Sequence, residues 1–254
     1  MMRWAFAAVV AMTGLWSTGA AAEWQCRAAK DLLDLGNPLE IAKTAVADER
    51  ELRVVALGSS STQGYGASNP QYAYPAQLKM RLEKALPGID VHVWNKGVGG
   101  QDAAEMVERM KADVKPEHAH IVIWQVGTNS AIRRDPLTKF AEKLRTGIDI
   151  GHSLGANFIM MNLQYVPAVV ALPDEEEYAQ AMADVAKEKG VALFRRFEIM
   201  KSWYNDGMPY AQFVINAGLH LNDFGQKCIA KLLSQSILDA VNPKQLTGAA
   251  KSAH

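Results

Sequence analysis

The sequence predicts an α/β protein built on one five-stranded parallel sheet with helices on both faces. From Arg53 onward, short apolar runs of strand character alternate with segments of helical spacing. The first run, Val54–Leu57, stops in the turn Gly58-Ser59-Ser60-Ser61, with glycines again at Gly64 and Gly66. A buried strand that ends in such a turn leaves small hydroxyls and free N–H groups at the carboxyl edge of a sheet, where open α/β sheets bind their ligands. The 254 residues are 49% apolar and 21% charged, enough for one sizeable core. A formal net charge of zero gives no electrostatic case for nucleic acid or an anionic membrane as the main partner.

In chain order, residues 1–22 carry the pattern of an export signal: Arg3, the short apolar run Trp4–Trp16, then Ala20-Ala21-Ala22 before Glu23. That run is shorter than the roughly 20 apolar residues of a membrane span. A soluble mature protein outside the cytoplasm, periplasmic or secreted, is the expectation. Residues 23–52 form an N-terminal helical segment. In it Cys26–Leu35 has helical spacing, and Asn37-Pro38-Leu39-Glu40 has the cap, proline and acid of a helix start. Residues 53–241 form one domain, with no internal repeat or linker, and residues 242–254 a loose polar tail.

Within the domain, strands are expected at Val54–Leu57, Val91–Trp94, Ile121–Val126, Phe158–Leu163 and Val191–Phe194. Helices are expected near Pro75–Leu86, Ala103–Ala112, Leu137–Leu154, Glu175–Glu188 and Asn222–Val241. In the last, Asn222 or Asp223 can cap and Gln226 stands in a capping-box position. Cys26 and Cys228 are the only cysteines. In an oxidising compartment they can pair; two separate buried thiols are the alternative.

Four short stretches collect at strand ends or before a helix: Gly58–Thr62, Asn95–Gly100, Gly127-Thr128-Asn129 and Gly218-Leu219-His220. In a parallel sheet they converge on one edge. Their chemistry reads as nucleophilic catalysis, with Ser60 as nucleophile and His220 as its general base. The backbone N–H groups of Ser60 and Gly97 and the side-chain amide of Asn129 supply an oxyanion hole, glycine at 97 permitting close backbone approach.

With Ser60, Gly97, Asn129 and His220 in this order, the chain resembles the SGNH (GDSL-type) hydrolases from Val54 to about Leu233. The resemblance implies a flavodoxin-like three-layer α/β/α sandwich and hydrolysis of small acyl, lipid or carbohydrate esters, with no metal or organic cofactor. The chain departs from the family pattern at Ser59 and Ser130, where Asp is usual, and at Ala217, the usual place of the triad acid. Losing a triad acid costs about 10⁴-fold in rate. A main-chain carbonyl, Asn216 or Asp223 could orient His220 instead, and a Ser–His dyad with a carbonyl partner is the expectation.

The leading expectation is an exported serine esterase acting on short-chain or carbohydrate O-acyl esters through an acyl-enzyme on Ser60. One alternative is a weak or inactive binding module, because of Ala217; a lysophospholipase or thioesterase-type acyl hydrolase is another. Rival motifs are weaker. Gly151-His152-Ser153-Leu154-Gly155 matches a nucleophile elbow, which needs a strand before it, but a helical pattern runs in. The SSSTQG turn resembles a flavodoxin phosphate loop, a role that leaves Asn129 and His220 unused. His118 and His120 read as a solvated strand entrance with no third metal ligand. His92 reads as a polar strand residue, and Glu175-Glu176-Glu177 as an acidic first helical turn. The aromatic residues Tyr72, Tyr74, Trp203, Tyr204, Tyr210 and Phe213 wall a pocket or fill the core.

Overall fold

The computed structural model describes residues 24–241. The signal segment, residues 1–22, and the tail, residues 242–254, lie outside the described residues. The strands are β1 (Glu51–Gly58), β2 (Asp90–Gly97), β3 (Ile121–Gln125), β4 (Asn157–Met161) and β5 (Ala192–Phe194). All neighbours pair in parallel, in the order β2-β1-β3-β4-β5. The run from Val54 to Gly58 and the whole of β3 are buried, as expected of strands covered on both faces.

Twelve helices accompany the sheet among the described residues. Three long ones, α5 (Ala103–Val114), α7 (Leu137–Ser153) and α9 (Glu175–Lys189), form a row, α5 against α7 and α7 against α9. On the opposite face α4 (Tyr74–Ala85) packs on α12 (Asp223–Val241), which also meets the short N-terminal helices α1 (Lys30–Leu33) and α2 (Glu40–Thr44). The rest are α10 (Arg196–Asn205), of ten residues, and the shorter α3 (Ser60–Gln63), α6 (Thr128–Arg133), α8 (Pro167–Val170) and α11 (Tyr210–Phe213). The chain leaves β1 toward β2 on one side and returns to β3 on the other, so right-handed crossovers put α4 and α5 on opposite faces. This is the three-layer sandwich expected, and the gap between β1 and β3 is its topological switch point.

Several local expectations are corrected by tertiary partners. Asn37 does not cap a helix; its amide donates to Val191 O at 2.9 Å, and α2 starts later, after Leu39. Of the helical stretch expected at Cys26–Leu35, only Lys30–Leu33 is α-helical. Asn222 caps α12, accepting from Gly225 N–H, while Gln226 accepts from Tyr74 N–H and forms no capping box. Arg196–Asn205, which lies outside the expected helices and strands, is a helix. His120 is buried rather than solvated and accepts from Arg53 N–H through Nδ1. The acidic first turn of α9 stands as expected.

Gly151 and Ser153 lie in the last turn of α7, where Ser153 Oγ donates to Ile150 O. A Cβ on Gly151 would stand 2.2 Å from the Phe158 ring, and one on Gly147 2.5 Å from Trp124. These glycines let α7 settle onto β3 and β4, and the motif is a packing device.

The two cysteines are joined, Cys26 to Cys228, across 202 positions. The N-terminal segment is further held by Lys231 Nζ on Cys26 O, Trp203 Nε1 on Arg27 O and Leu193 N–H on Leu35 O. The last bond places Leu35 against the edge strand β5. Among the described residues no helix is long and apolar enough to cross a membrane.

Candidate active site

Ser60 is the first residue of α3, in the turn directly after β1, and it is half-buried. The turn is held from below by Gln125, the last residue of β3. Its Oε1 accepts from Ser59 N–H at 3.0 Å, Ser59 Oγ at 3.1 Å and Thr62 Oγ1 at 3.1 Å. Ser59 therefore points inward and is 3% exposed. The hydroxyl in place of the expected Asp serves to anchor the Ser60 turn to the neighbouring strand.

Ser60 Oγ stands 2.9 Å from His220 Nε2, across 160 positions of sequence. His220 lies in a tight loop after α11, closed by the Val214–Leu221 bridge, by Ile215 N–H on His220 O and by Gly218 N–H on Ile215 O. Burial pushes the His220 pKa below the ordinary imidazole value. The ring rests against Tyr65, whose ring centre is 4.4 Å away. A Cβ on Gly66 would stand 2.5 Å from Leu221 O and 3.0 Å from His220 Cβ, so the segment after α3 closes tightly on His220.

The orienting partner expected for His220 is not present. Among the described residues no carboxylate, amide or carbonyl hydrogen-bonds its Nδ1. Ala217 and Asn216 are exposed at the tip of the loop. The Asp223 carboxylate accepts from Ser68 N–H at 2.8 Å and Ser68 Oγ at 2.6 Å, holding the segment beyond Tyr65 rather than His220. The dyad has formed without the carbonyl partner.

Gly97 ends β2 opposite Gly58. A Cβ there would stand 2.1 Å from Gln63 N and 2.6 Å from Thr62 C, so its lack of a side chain gives α3 room. Its N–H, however, donates to Asn95 Oδ1 at 2.9 Å and is not free for an oxyanion. That expectation is corrected by the turn that follows. A Cβ on Gly99 would lie 3.9 Å from Ser60 Cβ, and neither Gly99 nor Gly100 N–H meets an acceptor among the described residues.

Asn129, in the first turn of α6 after β3, donates from Nδ2 to Gln101 O at 2.8 Å, leaving its second amide hydrogen unspent. Arginines brace the same loop: Arg133 Nη2 donates to Gly100 O at 2.8 Å, and Arg109 donates to Lys96 O and Gly58 O, both at 2.9 Å. Ser60, His220 and Asn129 thus come from the carboxyl ends of the strands flanking the switch point and from the loop before α12. Sequence reasoning missed Gln125, Arg109 and Tyr65. A polar residue directly after an apolar strand run was the available signal for Gln125. A groove of about 900 Å³ lies between the N-terminal segment and the end of α12 and contains none of these residues.

A doubly wound parallel sheet with a Ser–His pair at its switch point defines a hydrolase of the SGNH (GDSL) class. Residues 25–243 match the Non-GDSL lipase-like family, and the chain belongs to it. It is similar to an arylesterase of Vibrio mimicus, 20% identical over 204 residues that cover 76% of this chain and 92% of that protein. Among solved structures it resembles a two-domain esterase active on acetylated mannans, with TM-score 0.67 and 17% identity over 83% of this chain. The chain spans 55% of the length of that two-domain protein. It also resembles TesA, with TM-score 0.61 and 20% identity over 75% of this chain and 98% of that one. The acetyl xylan esterase AlAXEase gives TM-score 0.62 and 17% identity over 73% and 100% of the two chains.

Proposed function

We propose that this chain is an exported serine esterase that hydrolyses short-chain or carbohydrate O-acyl esters through an acyl-enzyme. The observation that carries the reading is the 2.9 Å contact of Ser60 Oγ with His220 Nε2. Ser60 Oγ attacks the ester carbonyl carbon while its proton passes to Nε2. The carbonyl oxygen, now anionic, is met by Ser60 N–H, the Asn129 amide and an N–H of the Gly99–Gly100 turn. Collapse expels the alcohol oxygen, which takes the proton from Nε2. Water then attacks the acyl-enzyme, its proton passing to Nε2 and on to Ser60 Oγ as the carboxylic acid leaves.

Support for an ester substrate comes from the relatives, an arylesterase, an esterase active on acetylated mannans and an acetyl xylan esterase. Support for export comes from the pattern of residues 1–22 and from the Cys26–Cys228 bridge, which persists in an oxidising compartment. The missing orienting acid favours a second reading, a binding module that has kept the fold.

Hydrolysis of p-nitrophenyl acetate by the protein and by Ser60→Ala separates the two. The expected result is turnover by the protein and a loss of at least about 10³-fold in the variant. Equal turnover in both would show that another serine acts. No turnover in either would favour the binding module.

A further inference from the structure

With no carboxylate on its Nδ1, His220 must owe its position to its own backbone and its neighbours. The segment after β4 grips that backbone. Gln164, 1% exposed, donates from Nε2 to Leu219 O at 2.5 Å, and Ala168 N–H donates to Gly218 O at 3.1 Å. These are the two carbonyls immediately before His220. The other side of the Gln164 amide, Oε1, accepts from Ser61 Oγ at 3.2 Å, and Gln164 N–H donates to Thr128 Oγ1 at 3.3 Å. Ser61, Thr128 and Leu219 are the chain neighbours of Ser60, Asn129 and His220. One buried residue therefore touches a chain neighbour of Ser60, of Asn129 and of His220.

We propose that Gln164 is the positioning residue of this site, holding the His220 loop in register with the Ser60 turn and taking over part of the work of the missing acid. The assignment rests on the esterase reading above. An amide suits the place because it accepts on one side and donates on the other. A carboxylate would set an oxygen against Leu219 O, and an aliphatic side chain would leave the Ser61 hydroxyl and the Leu219 carbonyl without their partner. The Ser61 bond is buried and the Leu219 bond partly so, where an unmade bond is costly and a made one holds geometry well.

The test compares kcat and KM for p-nitrophenyl acetate in Gln164→Leu and Gln164→Glu, each made in the unaltered protein and in His220→Ala. Misplacing a reacting group by about 1 Å can cost about 10²-fold. The expected result is therefore a kcat lower by roughly 10–10²-fold with KM within about threefold. In the His220→Ala background the same substitutions should change kcat by less than about twofold, since groups that act as a unit are lost together. Equal losses in both backgrounds, or an unchanged kcat in both variants, would overturn the assignment. If thermal melting shows that Gln164→Leu does not fold, Gln164→Glu, with the same number of heavy atoms, carries the comparison. Turnover that Ser60→Ala removes leaves the esterase reading standing, so Gln164 is judged separately. Absent turnover in the unaltered protein ends both readings.

Discussion

At the scale of single residues, the proposed chemistry turns on His220. It faces Ser60 at 2.9 Å, it has no acid behind it, and burial lowers its pKa. A base must be neutral to take a proton, so a lowered pKa keeps it competent at lower pH. The sign follows: kcat/KM should rise with pH as His220 deprotonates, with its midpoint below the ordinary imidazole value of about 6.5. Ala217→Asp supplies the acid at the position the wider family uses. Position 217 is exposed, so folding should tolerate the change, and activity should stay level or rise. A carboxylate that reaches the ring stabilises the imidazolium, so any gain in rate should come with an upward shift of the acid limb. Stopped-assay pH profiles of both proteins check this pair of outcomes. A midpoint above 6.5 in the unaltered protein would mean that an unrecognised acid already serves His220.

At the scale of elements, the site depends on how closely α3 can lie on the end of β2. Gly97→Ala puts a methyl group 2.1 Å from Gln63 N, a backbone atom that cannot swing away as a flexible side chain would. Strand and turn must part, and we expect at least about a 10²-fold fall in kcat with a lower melting temperature. Gly155→Ala is the control. Its φ is +69° but it has open space around it, so it should cost only about 1 kcal/mol of backbone strain and leave turnover intact. Comparable effects of the two substitutions would refute the close-approach role. The same contact explains which elements were legible in the sequence. The cores of β1, β3, β4 and β5 were, because their apolar runs are buried on both faces, and β2 was through the apolar residues of Val91–Trp94, of which only Val91 is buried. The outer parts of β1 and β2 were not, because Glu51, Arg53 and Asn95 pair through backbone that carries no side-chain signal. Ser60 and His220 stood out because small residues surround them at strand and loop ends. Gln125 and Gln164 did not, since their partners lie 66 and 103 positions away for Ser59 and Ser61. The N-cap expected at Asn37 failed for a related reason: Val191, 154 positions on, claimed its amide.

At the scale of the whole molecule, the N-terminal segment and α12 act as one strap across the face opposite the α5–α7–α9 row. Cys26–Cys228 closes it, with Lys231 on Cys26 O beside the bridge and Trp203 on Arg27 O one residue further. The bridge spans 202 positions, enough to enclose every strand of the sheet. Long closed loops restrict the unfolded chain most, and a native bridge of this kind contributes about 2–5 kcal/mol. The reduced protein should therefore melt roughly 5–15 °C lower than the oxidised one. The site itself is assembled by other contacts: Gln125 below the Ser60 turn, Asp223 on Ser68 and Gln164 on Leu219. Turnover at 25 °C should then survive reduction to within about twofold, because residual stability of several kcal/mol still keeps nearly every molecule folded. Melting and assay with and without dithiothreitol, beside a Cys26→Ala, Cys228→Ala double variant that should ignore the reductant, measure both halves of the claim. A reduced protein that melts at the same temperature would show that packing alone secures the strap. One that stays folded yet loses turnover would show that the strap sets the geometry around His220 through the start of α12.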